Sequence, residues 1–354
     1  MTIDPTAPVL VTGANGYVAS WLVKRLLEDG KTVHAAVRSP ENDRKVGHLK
    51  KLAAAAPGNI KFFQADLLTP GSYTDAMRGC QLVYHTASPF TTDVQDPQRE
   101  LIEPALRGTE NVLQSANEVE TVRRVVVTSS CAAIYTDAID TVNAPGGRLT
   151  EEIWNTTASL DYQPYSYSKT VAERRAWEMA NAQNRWDLVT INPCLILGPS
   201  LNPNATTSES VNIMKTLGGG EMKLGAPRIG VGVVDIRDVA EAHYRAGYTP
   251  AAQGRYITAG HETDFLEMGE VLLPKFGDRF PLPTRALPKW LLMIVGPLTN
   301  KLFTRKFIRN NVNIPWRADN SKIKDELDMT FRPLRETMEE TFGNLVEEGV
   351  IKAG

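Results

Sequence analysis

The chain has 354 residues, 42% hydrophobic and 23% charged, the profile of an ordinary globular protein with length for one large domain or two joined ones. Its 39 Lys and Arg against 41 Asp and Glu leave a net charge of −2 without a long single-sign run, so nucleic acid is not expected as a partner. Cys80, Cys131 and Cys194 stand far apart, with neither a CxxC pair nor a metal-ligand spacing; this argues against a disulfide framework and for a reducing compartment.

Val9-Leu10-Val11 reads as a short apolar strand that runs into the turn Gly13-Ala14-Asn15-Gly16. Val18, Leu22 and Leu26 then recur every four positions, the spacing of a helix with one buried face. Gly30 ends that helix, and Val33 to Val37 supplies a second strand, which a right-handed crossover lays parallel to the first. Further strands are expected at Ile60 to Phe63, Leu82 to His85, Arg124 to Thr128 and Leu188 to Ile191, with helices near 42 to 54, 72 to 78, 97 to 118 and 166 to 182. This alternation predicts an α/β fold, a doubly wound parallel sheet of the Rossmann type with helices on both faces.

From about residue 200 the texture changes, with Asn202-Pro203-Asn204, Gly218-Gly219-Gly220 and prolines dotted from Pro274 to Pro297. Val231 to Val234 and Arg255 to Thr258 read as strands that return to the main sheet around an amphipathic segment 237 to 247. We therefore expect a dinucleotide-binding domain of residues 1–200 plus about 231–260. A smaller, discontinuous C-terminal substrate lobe would comprise about 201–230 plus 261–354. The start MTIDPTAP has no basic, apolar leader pattern and no apolar run approaches about 20 residues, so no secretory signal or integral membrane segment is expected and the location is read as cytoplasmic.

The first turn reads Gly13-x-x-Gly16-x-x-Ala19. Side-chain-free backbone at Gly13 and Gly16, with Asn15 between them and a helix opening at Tyr17 and Val18, lets a pyrophosphate approach the positive helix end. At the end of the second strand a free ribose 2′-hydroxyl calls for Asp or Glu. The sequence instead has Arg38, then Ser39 and Arg44-Lys45, and a guanidinium suits a 2′-phosphate, so NADP(H) is the expected cofactor. Asp66, followed by Leu67 after the third strand, either meets the adenine amino group or caps the next helix. Thr86, Ala87 and Ser88 leave the fourth strand at the carboxyl edge, where small residues let backbone lie against a cofactor. His85 beside them is read as a packed residue, and Asn111 as structural. No HExxH or His/Cys cluster exists, so no metal is expected.

Thr128-Ser129-Ser130 closes the fifth strand, and Tyr165-Ser166-Tyr167-Ser168-Lys169 opens a helix. Tyr165 and Lys169, at i and i+4, share a face, and an ammonium beside a phenol stabilises the phenolate and so fits the phenol for proton transfer. A serine hydroxyl from the adjacent strand end would polarise a substrate oxygen. Tyr167 is read as packing.

The motifs TGANGYVASWLVKRLL, AAVRSP, VYHTASP, VVVTSS, YSYSKTVAERRAW and INPCLILGP, in that order over residues 9 to about 260, resemble the extended short-chain dehydrogenase/reductases. More narrowly, they resemble the subgroup containing plant dihydroflavonol 4-reductases, cinnamoyl-CoA reductases and fungal NADPH-dependent aldehyde and ketone reductases. The resemblance implies that Ser130, Tyr165 and Lys169 are catalytic. Tyr165 would donate the proton, Ser130 hold the carbonyl oxygen, and Lys169 bind the nicotinamide ribose while lowering the tyrosine pKa. It further implies that Gly13, Gly16 and Ala19 border the pyrophosphate, that Arg38 and Lys45 meet the 2′-phosphate, and that Pro193 lies beside the nicotinamide.

Two departures are visible. Tyr135 stands where dihydroflavonol reductases carry asparagine, and QPYSYSK replaces the NWYCYGK signature of cinnamoyl-CoA reductases. A general NADPH-dependent reductase of a small aldehyde or ketone is thus expected ahead of those two activities. A nucleotide-sugar epimerase or dehydratase is the second reading and a cofactor-bound sensor the third. Tyr135 and the loop Ser208 to Ser210 are guesses for the substrate pocket. The segment 285 to 310 mixes Trp290, Leu291, Leu292, Ile294, Phe303 and Phe307 with Lys289, Lys301, Arg305, Lys306 and Arg309. It is read as packing in the substrate lobe, with a lid, an oligomer contact or a membrane-surface helix as alternatives. A homodimer is among the assemblies the sequence leaves open.

Overall fold

The computed structural model describes residues 1–88, 94–202, 209–299 and 303–352. In chain order the first half holds β1 (Val9–Thr12), α1 (Tyr17–Glu28), β2 (Thr32–Val37), α2 (Asp43–Ala54), β3 (Asn59–Gln64), α3 (Thr74–Met77), β4 (Leu82–His85), α4 (Glu103–Glu118), β5 (Arg124–Thr128), α5 (Ala138–Asn143) and α6 (Pro164–Asn181). The second half holds β6 (Asp187–Pro193), β7 (Leu195–Leu197), α7 (Glu209–Gly218), β8 (Gly230–Asp235), α8 (Ile236–Tyr248), β9 (Gly254–Thr258), β10 (His261–Asp264) and α9 (Phe265–Phe276). It closes with α10 (Lys289–Thr299), α11 (Arg305–Asn311), α12 (Ser321–Leu327) and α13 (Leu334–Glu347).

Seven strands form one sheet in the order β3-β2-β1-β4-β5-β6-β9, every neighbouring pair parallel. The strand order reverses between β1 and β4, the place where doubly wound sheets hold ligands. Consecutive side chains on a strand point to opposite faces. Val9 and Val11 accordingly enter the core beneath α1 and α8, while Leu10 enters the core beneath α4 and α6. Both faces are covered, so these strands read as continuous apolar runs rather than as alternation.

The return to the main sheet happens later than the sequence suggested. Residues 230–235 form β8 in a second, three-stranded sheet of order β10-β8-β7, and only β9 rejoins the large one. An aliphatic run such as Val231 to Val234 fits a buried strand of either sheet, so its pattern carries no information about its partner. Leu197, Met214, Val233, Leu272, Phe276 and Phe342 close a separate core between this small sheet and α7, α9 and α13. The segment 285 to 310 departs from its expected packing in part. Leu292 and Ile308 are buried, with Phe303 and Phe307 packed against them, but Trp290 and Ile294 face outward at 67% and 60% exposure.

Candidate active site

The glycine turn is closed by geometry, not only by composition. Gly13 has φ +59°, and a Cβ built on it would stand 3.0 Å from the Ala87 Cβ, so a side chain there is strained in its backbone and crowded by its neighbour. Gly16 begins α1 with no side-chain cap, and no acidic residue occupies the first turn. The positive helix end is left to an external anion, and the turn thus fits a dinucleotide pyrophosphate. Tyr17 spends its hydroxyl on the Gly198 carbonyl at 2.6 Å, which ties the turn to the residue that follows β7.

Arg38 is exposed where β2 ends. It shares a cleft with Asn15, Ser39, Arg44, Lys45 and Asn202, a set with three cations and no carboxylate. The Asn42 side chain caps α2 by accepting from the Arg44 amide at 3.1 Å, and this cap aims the first turn of α2, with Arg44 and Lys45, at the cleft. The donor set fits a phosphate. Asn202, in a stretch read only as loop, was not foreseen there.

Asp66 accepts from the Leu68 amide at 2.8 Å and so closes its own turn. The capping reading describes what its carboxylate does here, although the capped unit is a turn and not the helix that follows. Asn111 ties that loop down, donating to the carbonyls of Leu67 and Thr69 at 3.0 and 2.8 Å and accepting from Gly71 at 2.9 Å. The Thr86 hydroxyl donates to the Thr12 carbonyl, so it stitches β1 to β4. Thr12 Oγ1 accepts from the Ala87 amide at 3.0 Å and lies 3.0 Å from His85 Nδ1. Burial, and secondarily the Lys169 charge, push the His85 pKa down to about 3, which fits a neutral ring held against Thr12.

Leu67, Ala87, Ser88, Ser129, Lys169 and Glu173 line a second cleft at the carboxyl ends of β4 and β5. Helix α6 starts abruptly: Gln163 is left-handed at φ 56° and Pro164 occupies the first helical position, where its missing N–H costs nothing. Tyr165 therefore falls in the first turn and is 44% exposed. One turn on, Lys169 Nζ lies 5.7 Å from the Tyr165 ring centre and donates to Ser88 Oγ at 2.9 Å. The turn Cys131–Ala133, directly after Ser130, packs on α6, and Ser130 Oγ accepts from the Ala132 amide at 3.1 Å. Pro193 ends β6, buried and in register with Thr258.

Behind these residues lies a polar network that the motifs did not reveal. Glu173, fully buried, accepts from Ser129, from Asn192 at 2.8 Å, from Thr190 at 3.1 Å and from Arg255 at 2.7 Å. Asn192 also donates to the Ser130 carbonyl at 3.2 Å. The signal was present in the spacing, since Glu173 follows Lys169 by four residues, but an acid on that face reads from sequence as an exposed ion-pair partner.

Of the two pocket guesses, Tyr135 packs on Trp316 with ring centres 5.8 Å apart, in the cluster that includes Cys131 and Cys194. Ser208 lies outside the described residues, and Ser210 is buried, donating to the Ile196 carbonyl. Cys131 and Cys194, distant in sequence, bring their sulfurs to 3.0 Å as free thiols; burial holds the Cys194 thiol well above its usual range. Among the described residues no group of His, Cys, Asp and Glu is arranged to hold a metal ion, and no helix is long and apolar enough to cross a membrane.

A parallel sheet whose order reverses at a closed glycine turn, with a Tyr and Lys one helical turn apart beside it, defines the class the motifs resembled, the extended short-chain dehydrogenase/reductases. The profile of the NAD dependent epimerase/dehydratase family matches residues 9–259, and the chain belongs to that family. It is 41% identical over 268 residues to cinnamoyl-CoA reductase CAD2 of Medicago truncatula, covering 75% of this chain and 79% of the relative. Tetraketide alpha-pyrone reductase 1 of Arabidopsis thaliana is 35% identical over 348 residues, 97% of this chain and 96% of the relative. Among solved structures, Gre2 from Candida albicans in complex with NADPH superposes with a TM-score of 0.76 at 26% identity, covering 96% of this chain and 99% of that one.

Proposed function

We propose that the protein is an NADP(H)-dependent reductase that converts a small aldehyde or ketone to the alcohol, with Ser130, Tyr165 and Lys169 as catalytic residues. The observation that carries the reading is the placement of Lys169, one helical turn from the exposed Tyr165 and hydrogen-bonded to Ser88 at the cleft. Bound NADPH supplies a hydride to the carbonyl carbon. Tyr165 gives its proton to the developing alkoxide oxygen while Ser130 holds that oxygen by a hydrogen bond. The Lys169 ammonium stabilises the phenolate left behind, and the balance is one hydride and one proton added across the C=O bond. Gly13, Asn15, Gly16, Tyr17 and Val18 receive the pyrophosphate at the α1 N-terminus, and Arg38 with Lys45 binds the 2′-phosphate. Leu67, Thr86, Ala87, Ser88 and Pro193 shape the remaining floor through backbone and apolar contact.

Asp66 keeps a cofactor role only through a lone pair not used by Leu68. The lobe of about 201–230 and 261–354 takes the organic substrate. The relatives bring cinnamoyl thioesters and tetraketide pyrones into the range of carbonyl compounds to be tested. The cations around Arg38 favour this reading over a nucleotide-sugar epimerase that recycles tightly held NAD. The test follows loss of reduced-nicotinamide absorbance with NADPH and with NADH against aliphatic and aromatic aldehydes, α-dicarbonyls, dihydroflavonols and cinnamoyl thioesters, with Tyr165→Phe as control. Oxidation that requires NADPH and Tyr165 supports the proposal. Silence across the panel, with NAD bound to the purified protein, overturns it for the epimerase reading.

A further inference from the structure

From Arg279 to Ala318 the chain carries eight Lys or Arg and no Asp or Glu, against an overall net charge of −2. At the centre of this stretch α10 is apolar on two faces. Its inner face packs Leu292 against Ile308, Ile229 and Val312, and the approach is close: a Cβ on Gly296 would come 2.9 Å from Ile308 Cδ1. Its outer face presents Trp290, Ile294 and Leu298, four residues apart and hence in one stripe, at 67%, 60% and 84% exposure. On the adjoining loop Leu224 is 65% exposed, and its carbonyl accepts from Arg285. Three large side chains in a row left in water are uncommon on a solitary soluble surface.

The charges around the stripe name what covers it. Arg285, Arg305, Lys306 and Arg309 are exposed, and among the described residues none of them pairs with a carboxylate, although ion pairs are frequent elsewhere on the molecule. We propose that this face docks on an anionic lipid bilayer, with α10 lying flat in the headgroup layer and the cations on the phosphates. Trp and aliphatic side chains on one side of a short helix, flanked by Arg and Lys, match the interfacial layer in both hydropathy and charge. At 11 residues α10 is too short to span, since spanning needs about 20. A second copy of the chain is disfavoured as occupant, because a two-fold contact sets each patch against itself and would oppose Arg and Lys with Arg and Lys.

The same face is coupled to the candidate active site. Lys306 Nζ stands 3.5 Å from the Tyr162 ring centre, and Asn310 and the Tyr162 hydroxyl both donate to Asp137 at 2.8 Å. Tyr162 lies three residues before Tyr165, so a bilayer at α10 sits beside the loop that leads into the catalytic helix.

The test is flotation of the full chain with phosphatidylcholine vesicles, with and without phosphatidylserine, at low and high salt. The expected result is binding at least about tenfold stronger with phosphatidylserine, lost at high salt. Trp290→Ser with Leu298→Ser, and separately Arg305→Gln with Arg309→Gln, should each remove it at an unchanged thermal midpoint. Binding is read directly, so the outcome is independent of whether the reductase reading stands. Absence of phosphatidylserine-dependent binding overturns the proposal. So does a wild-type dimer in solution that Trp290→Ser with Leu298→Ser converts to monomer, because the face is then a contact between copies.

Discussion

Arg255 on β9 and Glu173 on α6 form an ion pair at 2.7 Å, with only 7% and 0% of their side chains exposed. The pair is satisfied on every side: the guanidinium also donates to the carbonyls of Glu151 and Ile153 at 2.8 and 2.6 Å and stacks on Trp154 at 4.0 Å. The carboxylate in turn receives Ser129 and Asn192. It thereby links α6, which carries Tyr165 and Lys169, to the strand end that carries Ser130.

Removing either partner alone leaves a buried charge without its counterion, and Glu173→Ala or Arg255→Ala should each cost about 3–5 kcal/mol. The double variant Glu173→Met/Arg255→Met should recover most of that stability, because no buried charge remains. If Glu173 positions Ser130, kcat of the double variant stays low while KM for NADPH is little changed, since Ser129 and Asn192 have lost their acceptor. Recovery of kcat together with the thermal midpoint would reduce Glu173 to fold support.

Tyr165→Phe removes the phenolic proton and little else, because the side chain is 44% exposed and its ring is retained. Turnover should fall by about 10²–10⁴-fold. NADPH binding, followed by fluorescence titration, should be unchanged. Near-normal turnover would exclude Tyr165 as proton donor.

Arg38→Ala deletes a guanidinium that is exposed at the end of β2 in a cleft with two further cations. A charge-assisted contact of about 1.5–3 kcal/mol corresponds to a tenfold to hundredfold rise in Kd for NADPH. The Kd for NADH should stay within experimental error. Equal losses for both nucleotides would show that Arg38 does not read the 2′-phosphate.

The strands of the first half and the longer helices between them were legible because strand and helix periods alternate there, whereas the short α5 carries no such pattern and was missed. The glycine turn and the Tyr165–Lys169 spacing were legible for a local reason: neighbours in sequence are also neighbours in the site. Glu173, Asn192 and Arg255 were not, since their contacts cross 19 to 82 residues and buried charge has no sequence pattern of its own. The membership of β8 in the second sheet was hidden likewise, as was the exposure of Trp290, because composition marks a residue as apolar and not as covered.

Two fully buried histidines contribute to the response to acid, beside His34 and His48, whose pKa values burial also lowers. His85 and His243 are held down to about 3 and about 4, chiefly by burial. His243 Nδ1 lies 2.7 Å from the Val239 carbonyl, to which it donates, so Nε2 is left to accept from Thr128 at 2.7 Å. An unfolded histidine titrates near 6.5, so below that pH the unfolded chain binds protons that the folded chain refuses. Each histidine contributes stability that is complete above about pH 6.5. That stability is lost as pH falls toward the folded values, by about 1.4 kcal/mol per pH unit. Urea midpoints taken between about pH 7 and about pH 5, above the range where most carboxylates protonate, should therefore fall steeply. His243→Gln, which keeps a donor and an acceptor in place of the ring, should flatten the slope by about one proton. A slope unchanged in His243→Gln would mean that His243 is protonated in the folded protein and that its hydrogen bonds to Val239 and Thr128 are not those described.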